Sequence, residues 1–283
     1  MPEDELAYAR LLSTRYARLV FLGDSNADNG NVLRLTNGAH PQPSSLYWQG
    51  RYSDGKVWAD YLAEAVSPAV AINLAYGCAT IDNEIVSGTV AMADGRRVEV
   101  PSVADQTGEL ERRIGRLNPT DLVLIQVGSN DLNSLIDSGP YYCRKREFTP
   151  LQLAERLCQI IKHLCTQLGA RNVLVMNVRP REDYPGVIAL GPELRELTRQ
   201  ATALFNATVG NGVAALQTAL GTEVCLRLFD TYSVQKQIGL VAGAADSERV
   251  PDPTLFIDGC HLGTRAQAEI YRHVLEAIAR DMI

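Results

Sequence analysis

The chain of 283 residues is short of the features that mark several large protein classes. It has no dense basic run; the nearest is Arg144-Lys145-Arg146, and Lys plus Arg number 27 against 33 Asp plus Glu, a net charge of −6. A mildly acidic surface is a poor match for a phosphate backbone, so nucleic acid is not an expected partner. No run approaches the ~18 apolar residues that cross a bilayer, so no transmembrane segment is expected. The first residues, Met-Pro-Glu-Asp-Glu-Leu-Ala, are acidic and carry no apolar signal core, which points to a cytoplasmic protein. Six cysteines are scattered without a single CxxC pair. That removes the usual zinc spacing, so no metal and no cofactor is expected, and it favours free, mostly buried thiols. Repeats and low-complexity tracts are missing too, and nothing in the chain indicates an oligomeric state.

What the chain does have is a recurring alternation of short apolar runs and longer amphipathic ones. The apolar runs are Arg18–Gly23, Val70–Leu74, Asp121–Val127, Asn172–Val178 and Glu223–Phe229. They are rich in Val, Ile and Leu without a clean period of two, as strands buried on both faces of a parallel sheet are. Helical patterns occupy Val57–Val66, Gln106–Leu117, Pro150–Leu168, Pro192–Leu220 and Thr264–Met282, with Thr149 and Thr264 as expected N-caps. Strand–helix alternation of this kind predicts a doubly wound α/β fold. No linker interrupts it, so residues 1–283 read as one domain. Residues 81–100, with the turn signal Ala93-Asp94-Gly95-Arg96, read as a hairpin insertion. Residues 138–149 and 231–257 read as irregular loops near the site.

Ligands of parallel α/β sheets bind beyond the carboxyl ends of the strands. After the first apolar run comes Gly23-Asp24-Ser25-Asn26-Ala27-Asp28-Asn29-Gly30-Asn31, after the second Ala75-Tyr76-Gly77-Cys78-Ala79, and after the third Gly128-Ser129-Asn130-Asp131. Asp258-Gly259-Cys260-His261 precedes the last helix. This set suits acyl transfer. A serine hydroxyl needs an adjacent base, and of the four histidines only His261 lies in a polar loop beside an aspartate. Asp258, three residues earlier, is placed to hold the imidazole tautomer. Backbone N–H groups of Ser25 and Gly77 and the side-chain amide of Asn130 can serve a developing oxyanion. Taken singly, each block has an ordinary reading as a turn or cap; their joint order is what carries the assignment.

These blocks resemble, in the same order, those of the GDSL/SGNH hydrolase superfamily. GDSNADNGN is similar to that family's extended GDSxSDxGN first block, Gly50-Arg51-Tyr52-Ser53-Asp54-Gly55-Lys56-Val57-Trp58 to its GRFSNGxVW segment, and Val100-Pro101-Ser102-Val103-Ala104-Asp105-Gln106 to its VPSLxxQ segment. The likeness spans residues 18–280. It implies a three-layer α/β/α sandwich around a five-stranded parallel sheet, flavodoxin-like in kind. It also implies Ser25 as nucleophile, Asp258 and His261 as the rest of a triad, and Ser25, Gly77 and Asn130 as the oxyanion hole, with Asp24, Asp28, Asn31, Gly128 and Asp131 in support. Asn26 replaces the leucine of the family name, and Leu262-Gly263 replaces the usual Pro-Thr.

The expected function is a serine carboxylester hydrolase acting on a small-molecule or lipid ester through an acyl-enzyme. Acyl transfer to an alcohol, or thioester cleavage, is the alternative use of the same triad. Rival signatures fail. GxSxG, GxxxxGK[ST] and GxGxxG do not occur. The run from Asp24 to Gly30 departs from a calcium loop, since Leu35 stands where the bidentate Glu belongs.

Overall fold

A computed structural model describes residues 3–67, 70–92, 94–136, 142–242 and 249–282. The chain opens with helix α1 (Glu3–Arg15), strand β1 (Arg18–Gly23), and helices α2 (Asn31–Leu35) and α3 (Trp58–Ala65). Then follow strands β2 (Val70–Asn73), β3 (Val86–Ala91) and β4 (Arg97–Glu99), helix α4 (Val103–Ile114), strand β5 (Asp121–Gln126), helix α5 (Ser129–Asn133), strand β6 (Tyr142–Arg144) and helix α6 (Pro150–Thr166). The last third holds strand β7 (Asn172–Met176), helices α7 (Pro185–Ile188) and α8 (Pro192–Leu220), strand β8 (Cys225–Phe229), helix α9 (Thr231–Ile238), strands β9 (Leu240–Ala242) and β10 (Arg249–Pro251), and helix α10 (Thr264–Asp281).

The main sheet has five parallel strands in the order β2-β1-β5-β7-β8. Strand residues divide cleanly between its two faces. Val20, Leu22, Val123, Ile125, Val173 and Val175 pack with Leu110 of α4, Leu157 and Ile161 of α6, and Phe205 and Val209 of α8. Leu19, Phe21, Leu122, Leu124, Leu174 and Met176 pack with Leu12 of α1, Trp58 and Leu62 of α3, and Ile270 and Val274 of α10. Two apolar faces explain the unbroken aliphatic runs of β5 and β7, whose residues are all buried. The edge strands differ from the expectation of two buried faces: Val70 of β2 is 59% exposed and β8 is partly open, because each edge strand has a neighbour on one side only.

Local chemistry sets the helix starts. Thr149 accepts from the Gln152 N–H while the Gln152 side chain accepts from the Thr149 N–H, a capping box at α6. Ser102 and Asp105 do the same for α4, which starts at Val103 rather than at Gln106. The cap expected at Thr264 is corrected: Gly263 occupies the N-cap without a side-chain bond, and the Thr264 hydroxyl donates to the Lys56 carbonyl. Helix α1, which has only weak amphipathic character, was not expected.

Residues 81–100 contain the antiparallel pair β3–β4, with β6 as a third strand on the other side of β3; Ala93 lies outside the described residues. The segment 231–257 is less irregular than its composition predicts. Asp230 caps α9 by accepting from the Ser233 N–H, and β9 pairs with β10; residues 243–248 lie outside the described residues, as do 137–141. No helix among the described residues is long and apolar enough to cross a membrane.

The chain leaves β1 in one direction toward β2 and reaches β5 on the other side, so the carboxyl ends of β1 and β5 flank a switch point. Gly23 ends β1 there with φ +153°, and a Cβ at this position would lie 2.3 Å from the Gln126 carbonyl oxygen. Gln106 clamps the same residue from α4: its Oε1 accepts from the Gly23 N–H (2.8 Å), and its Nε2 donates to the Gly23 carbonyl (2.9 Å). Gly23→Ala is therefore expected to destabilise the protein by about 1–3 kcal/mol, read as a lower urea midpoint with an unchanged slope.

Candidate active site

The loop after β1 is a tight turn built by two buried carboxylates. The Asp24 carbonyl accepts from the Ala27 and Asp28 N–H groups (both 3.1 Å), and Asp24 Oδ1 accepts from the backbone and side-chain amides of Asn26. Asn26 is thus spent locally, which accounts for a polar residue where the family has leucine. Asp28 Oδ1 accepts from the Gly30 (2.8 Å) and Asn31 (2.6 Å) N–H groups, while Oδ2 accepts from the Gly77 N–H (2.8 Å). Asn31 extends the tie by donating to the Ala75 carbonyl (2.7 Å). Burial pushes the Asp24 carboxyl above its ordinary value, and pushes Asp28 up to about 6 against the pull of its N–H donors.

The Ser25 side chain projects from this turn. Its Oγ donates to His261 Nε2 (3.0 Å), and His261 Nδ1 donates to Asp258 Oδ2 (2.7 Å), so the network assigns the Nδ1–H tautomer. Asp258 Oδ1 accepts from the N–H groups of Cys260 (2.8 Å) and His261 (2.6 Å), which curls residues 258–261 into one turn. Arg179, beyond β7, donates to the Cys260 carbonyl (3.1 Å) and fixes that turn to the sheet. Burial would raise the Asp258 carboxyl, but the His261 bond and charge together with the two N–H donors carry it well below the ordinary range. Burial would lower the His261 imidazole, and Cys260 and Asp258 outweigh it, so the ring titrates above its ordinary value.

The three expected oxyanion donors differ in what they already bind. The Ser25 N–H has no acceptor among the described residues. The Asn130 side chain is held by donation to the Ala79 carbonyl (2.8 Å) and by the Tyr142 hydroxyl, which donates to its Oδ1 (2.6 Å); one amide hydrogen remains. The Gly77 N–H, in contrast, points away to Asp28. Gly77 is small for another reason: a Cβ there would lie 2.0 Å from the Tyr52 ring, which packs on His261 at 5.0 Å between centroids. The next residue, Cys78, takes the left-handed conformation (φ +64°), lines the pocket, and has an N–H with no acceptor among the described residues. The remaining supporting residues are structural. Asp131, raised to about 7 by burial, accepts from the Ile81 N–H (3.1 Å), and Gly128 (φ +121°) turns the chain into α5, where a Cβ would meet Phe205 at 2.8 Å.

A pocket of about 330 Å³ opens onto Ser25 and His261. Its walls include His40, Pro41, Tyr47, Tyr52, Cys78, Val90, Tyr142 and Cys260. Val90 comes from the hairpin within 81–100 and Tyr142 from the expected loop 138–149; no described residue of 231–257 lines it. Tyr47, Tyr142, Cys78 and His40 carry no local sequence signal that marks them for the pocket. Tyr52 lay inside a matched segment, but Tyr47 lies five residues earlier in a stretch with no periodicity. The six cysteines are free, yet only Cys165 is fully buried, short of the mostly buried thiols expected. Among the described residues the only group of three possible metal ligands is Asp258, Cys260 and His261, where carboxylate and imidazole are already paired with each other.

The sequence profile of the GDSL-like Lipase/Acylhydrolase family matches residues 19–274. The chain belongs to this family. Its curated relatives include a phosphatidylcholine-sterol acyltransferase of Aeromonas hydrophila, 30% identical over 41% of this chain and 33% of that one. A GDSL esterase/lipase of Arabidopsis thaliana is 25% identical over 62% of this chain and 53% of its own. The chain thus spans a third to about half the length of these two relatives. A solved GDSL-like lipase of Parabacteroides merdae superposes with a TM-score of 0.53 at 12% identity, covering 94% of this chain and 96% of that one, which shows the shared fold. The carboxylate that joins the first two GDSL blocks should be hard to replace: Asp28→Ala strands the buried N–H groups of Gly30, Asn31, Val32 and Gly77 and is expected to cost about 3 kcal/mol or more, seen as a lowered thermal midpoint even before any assay of activity.

Proposed function

We propose that the protein is a serine-dependent carboxylester hydrolase. The observation that carries this reading is the continuous chain Ser25 Oγ–His261 Nε2, 3.0 Å, and His261 Nδ1–Asp258 Oδ2, 2.7 Å. In the first step Ser25 Oγ attacks the ester carbonyl as its proton passes to His261 Nε2. Asp258 keeps the ring oriented and offsets the positive charge that forms. The oxyanion takes the Ser25 N–H, the free Asn130 amide hydrogen and, in place of the Gly77 N–H, that of Cys78. The imidazolium then protonates the leaving alcohol, and water, deprotonated by the same ring, releases the acid. At about 330 Å³ the pocket is near the lower end for small-molecule sites, and its walls are largely aromatic and polar, which favours short acyl groups.

Acyl transfer to an alcohol uses the same first half-reaction and differs only in what deacylates the serine. The partial similarity to the Aeromonas acyltransferase makes it the second reading, distinguished by ester product in place of free acid when an acceptor alcohol is added.

With p-nitrophenyl esters from acetyl to palmitoyl, turnover is expected to peak at the short end, and Ser25→Ala is expected to lose it by several orders of magnitude. A Ser25→Ala variant that retains turnover, or a wild type that neither turns over any ester nor reacts with a fluorophosphonate, overturns the serine mechanism.

The base must be neutral to accept a proton, and the His261 pKa is raised. Activity is therefore lost as pH falls through that pKa, and the limb of kcat/KM lies above about 6.5, the value of an unperturbed imidazole. A profile that is flat from pH 5 to 8 rules His261 out.

A further inference from the structure

The triad carboxylate has a third partner. The Tyr47 hydroxyl donates to Asp258 Oδ2 at 2.8 Å, the same oxygen that accepts His261 Nδ1–H at 2.7 Å. The Tyr47 ring meets the imidazole edge-on with centroids 6.3 Å apart and leans on Tyr52 at 5.6 Å. Tyr47 also lines the pocket in front of Ser25. One side chain therefore touches the substrate cavity with its ring and the triad carboxylate with its hydroxyl.

We propose that Tyr47 is a positioning residue of the triad, whose hydroxyl shares Asp258 Oδ2 with His261 and fixes where that carboxylate points. The proposal rests on the hydrolase reading for its effect on turnover, though its effect on the imidazole does not depend on that reading.

The physical consequence has a definite sign. Four donors converge on Asp258: the Cys260 and His261 N–H groups on Oδ1, and Tyr47 and His261 Nδ1 on Oδ2. A hydroxyl donated to a carboxylate draws off electron density and leaves less for the imidazolium. Tyr47 thus moderates how strongly Asp258 holds the proton on His261. The other groups facing the pair are Cys260, with Sγ 3.4 Å from His261 Nδ1, Asp24 behind Ser25, the ring of Tyr52, and Arg179 through the Cys260 carbonyl. All of these stay in place when the Tyr47 hydroxyl alone is removed. The same bond limits rotation of the carboxylate about its Cβ–Cγ axis, so that Nδ1 keeps a single acceptor direction.

Tyr47→Phe keeps the ring, its contact with Tyr52 and the pocket wall, and deletes only the donor. The expected result is an acid limb of kcat/KM moved to higher pH by a fraction of a unit to about one unit. On the acid side of that limb activity should fall by up to about tenfold, with the loss in kcat rather than KM. A pH titration of the His261 ring resonances by NMR should show the same upward move, and this readout survives if the protein proves not to hydrolyse esters. Tyr47→Leu serves as the control for packing, because it removes ring and hydroxyl together and should raise KM as well. Superimposable pH profiles and His261 titrations for wild type and Tyr47→Phe would overturn the proposal, as would a Phe variant altered in KM alone. No turnover by the wild type, with a shifted His261 titration in Tyr47→Phe, would leave the positioning role standing and remove the hydrolase reading instead.

Discussion

The buried Asp28 carboxylate is the constraint on which the site depends. It gathers the N–H groups of Gly30 and Asn31 on one oxygen and those of Val32 and Gly77 on the other. The loop after β1 and the loop after β2 are thereby locked to each other in a place where water cannot substitute for the missing acceptor. Once those loops are fixed, Ser25 stands on the first and Cys78 on the second, and both line the same pocket. A carboxylate with N–H donors tolerates burial because the donors partly repay the lost hydration, and the residual penalty appears as its raised pKa.

A second set of bonds brings the far end of the chain to this platform. Gln106 clamps the Gly23 peptide, and Trp58 donates from its indole to Gln126 at the neighbouring strand end. Arg179 holds the carbonyl of Cys260, and Asp54 accepts from the Thr264 N–H at the start of α10. The turn carrying Asp258 and His261 is therefore held from β7, from the segment before α3 and from Tyr47. Each tie uses one long polar side chain to reach across a strand end. Such sites acquire precision from supporting hydrogen bonds more than from the loops themselves.

The parallel sheet was legible because its signal is local. A strand buried on both faces must be aliphatic at every position, as in Leu122–Ile125, and an amphipathic helix must repeat its apolar face, as in α6 and α10. Family resemblance also singled out Ser25, Gly77, Asn130, Asp258 and His261 as candidates, since each stands in a short block tied to a strand end or to the last helix. Less was legible where composition and conformation part company. Residues 231–238 look irregular but form a helix, because Asp230 supplies a cap and later packing supplies the rest. Thr264 looks like a cap but lies one residue inside α10, its hydroxyl drawn to Lys56 instead.

The sequence by itself determined which residues stand after which strand, and with them the nucleophile, base and orienting carboxylate as candidates. That information is one-dimensional, because a strand end and the residue two places on are neighbours in any fold that forms the strand. Tertiary structure alone decided which of two adjacent N–H groups Asp28 takes up. The Gly77 N–H that the resemblance offers to an oxyanion is bonded to Asp28 Oδ2, and the N–H of Cys78, the next residue and one of positive φ, has no acceptor among the described residues. It also decided that Tyr47 meets Asp258 across 211 residues of chain. A contact of that span leaves no local periodicity, since it exists only once the sheet has closed and two loops from opposite ends of the chain share one edge.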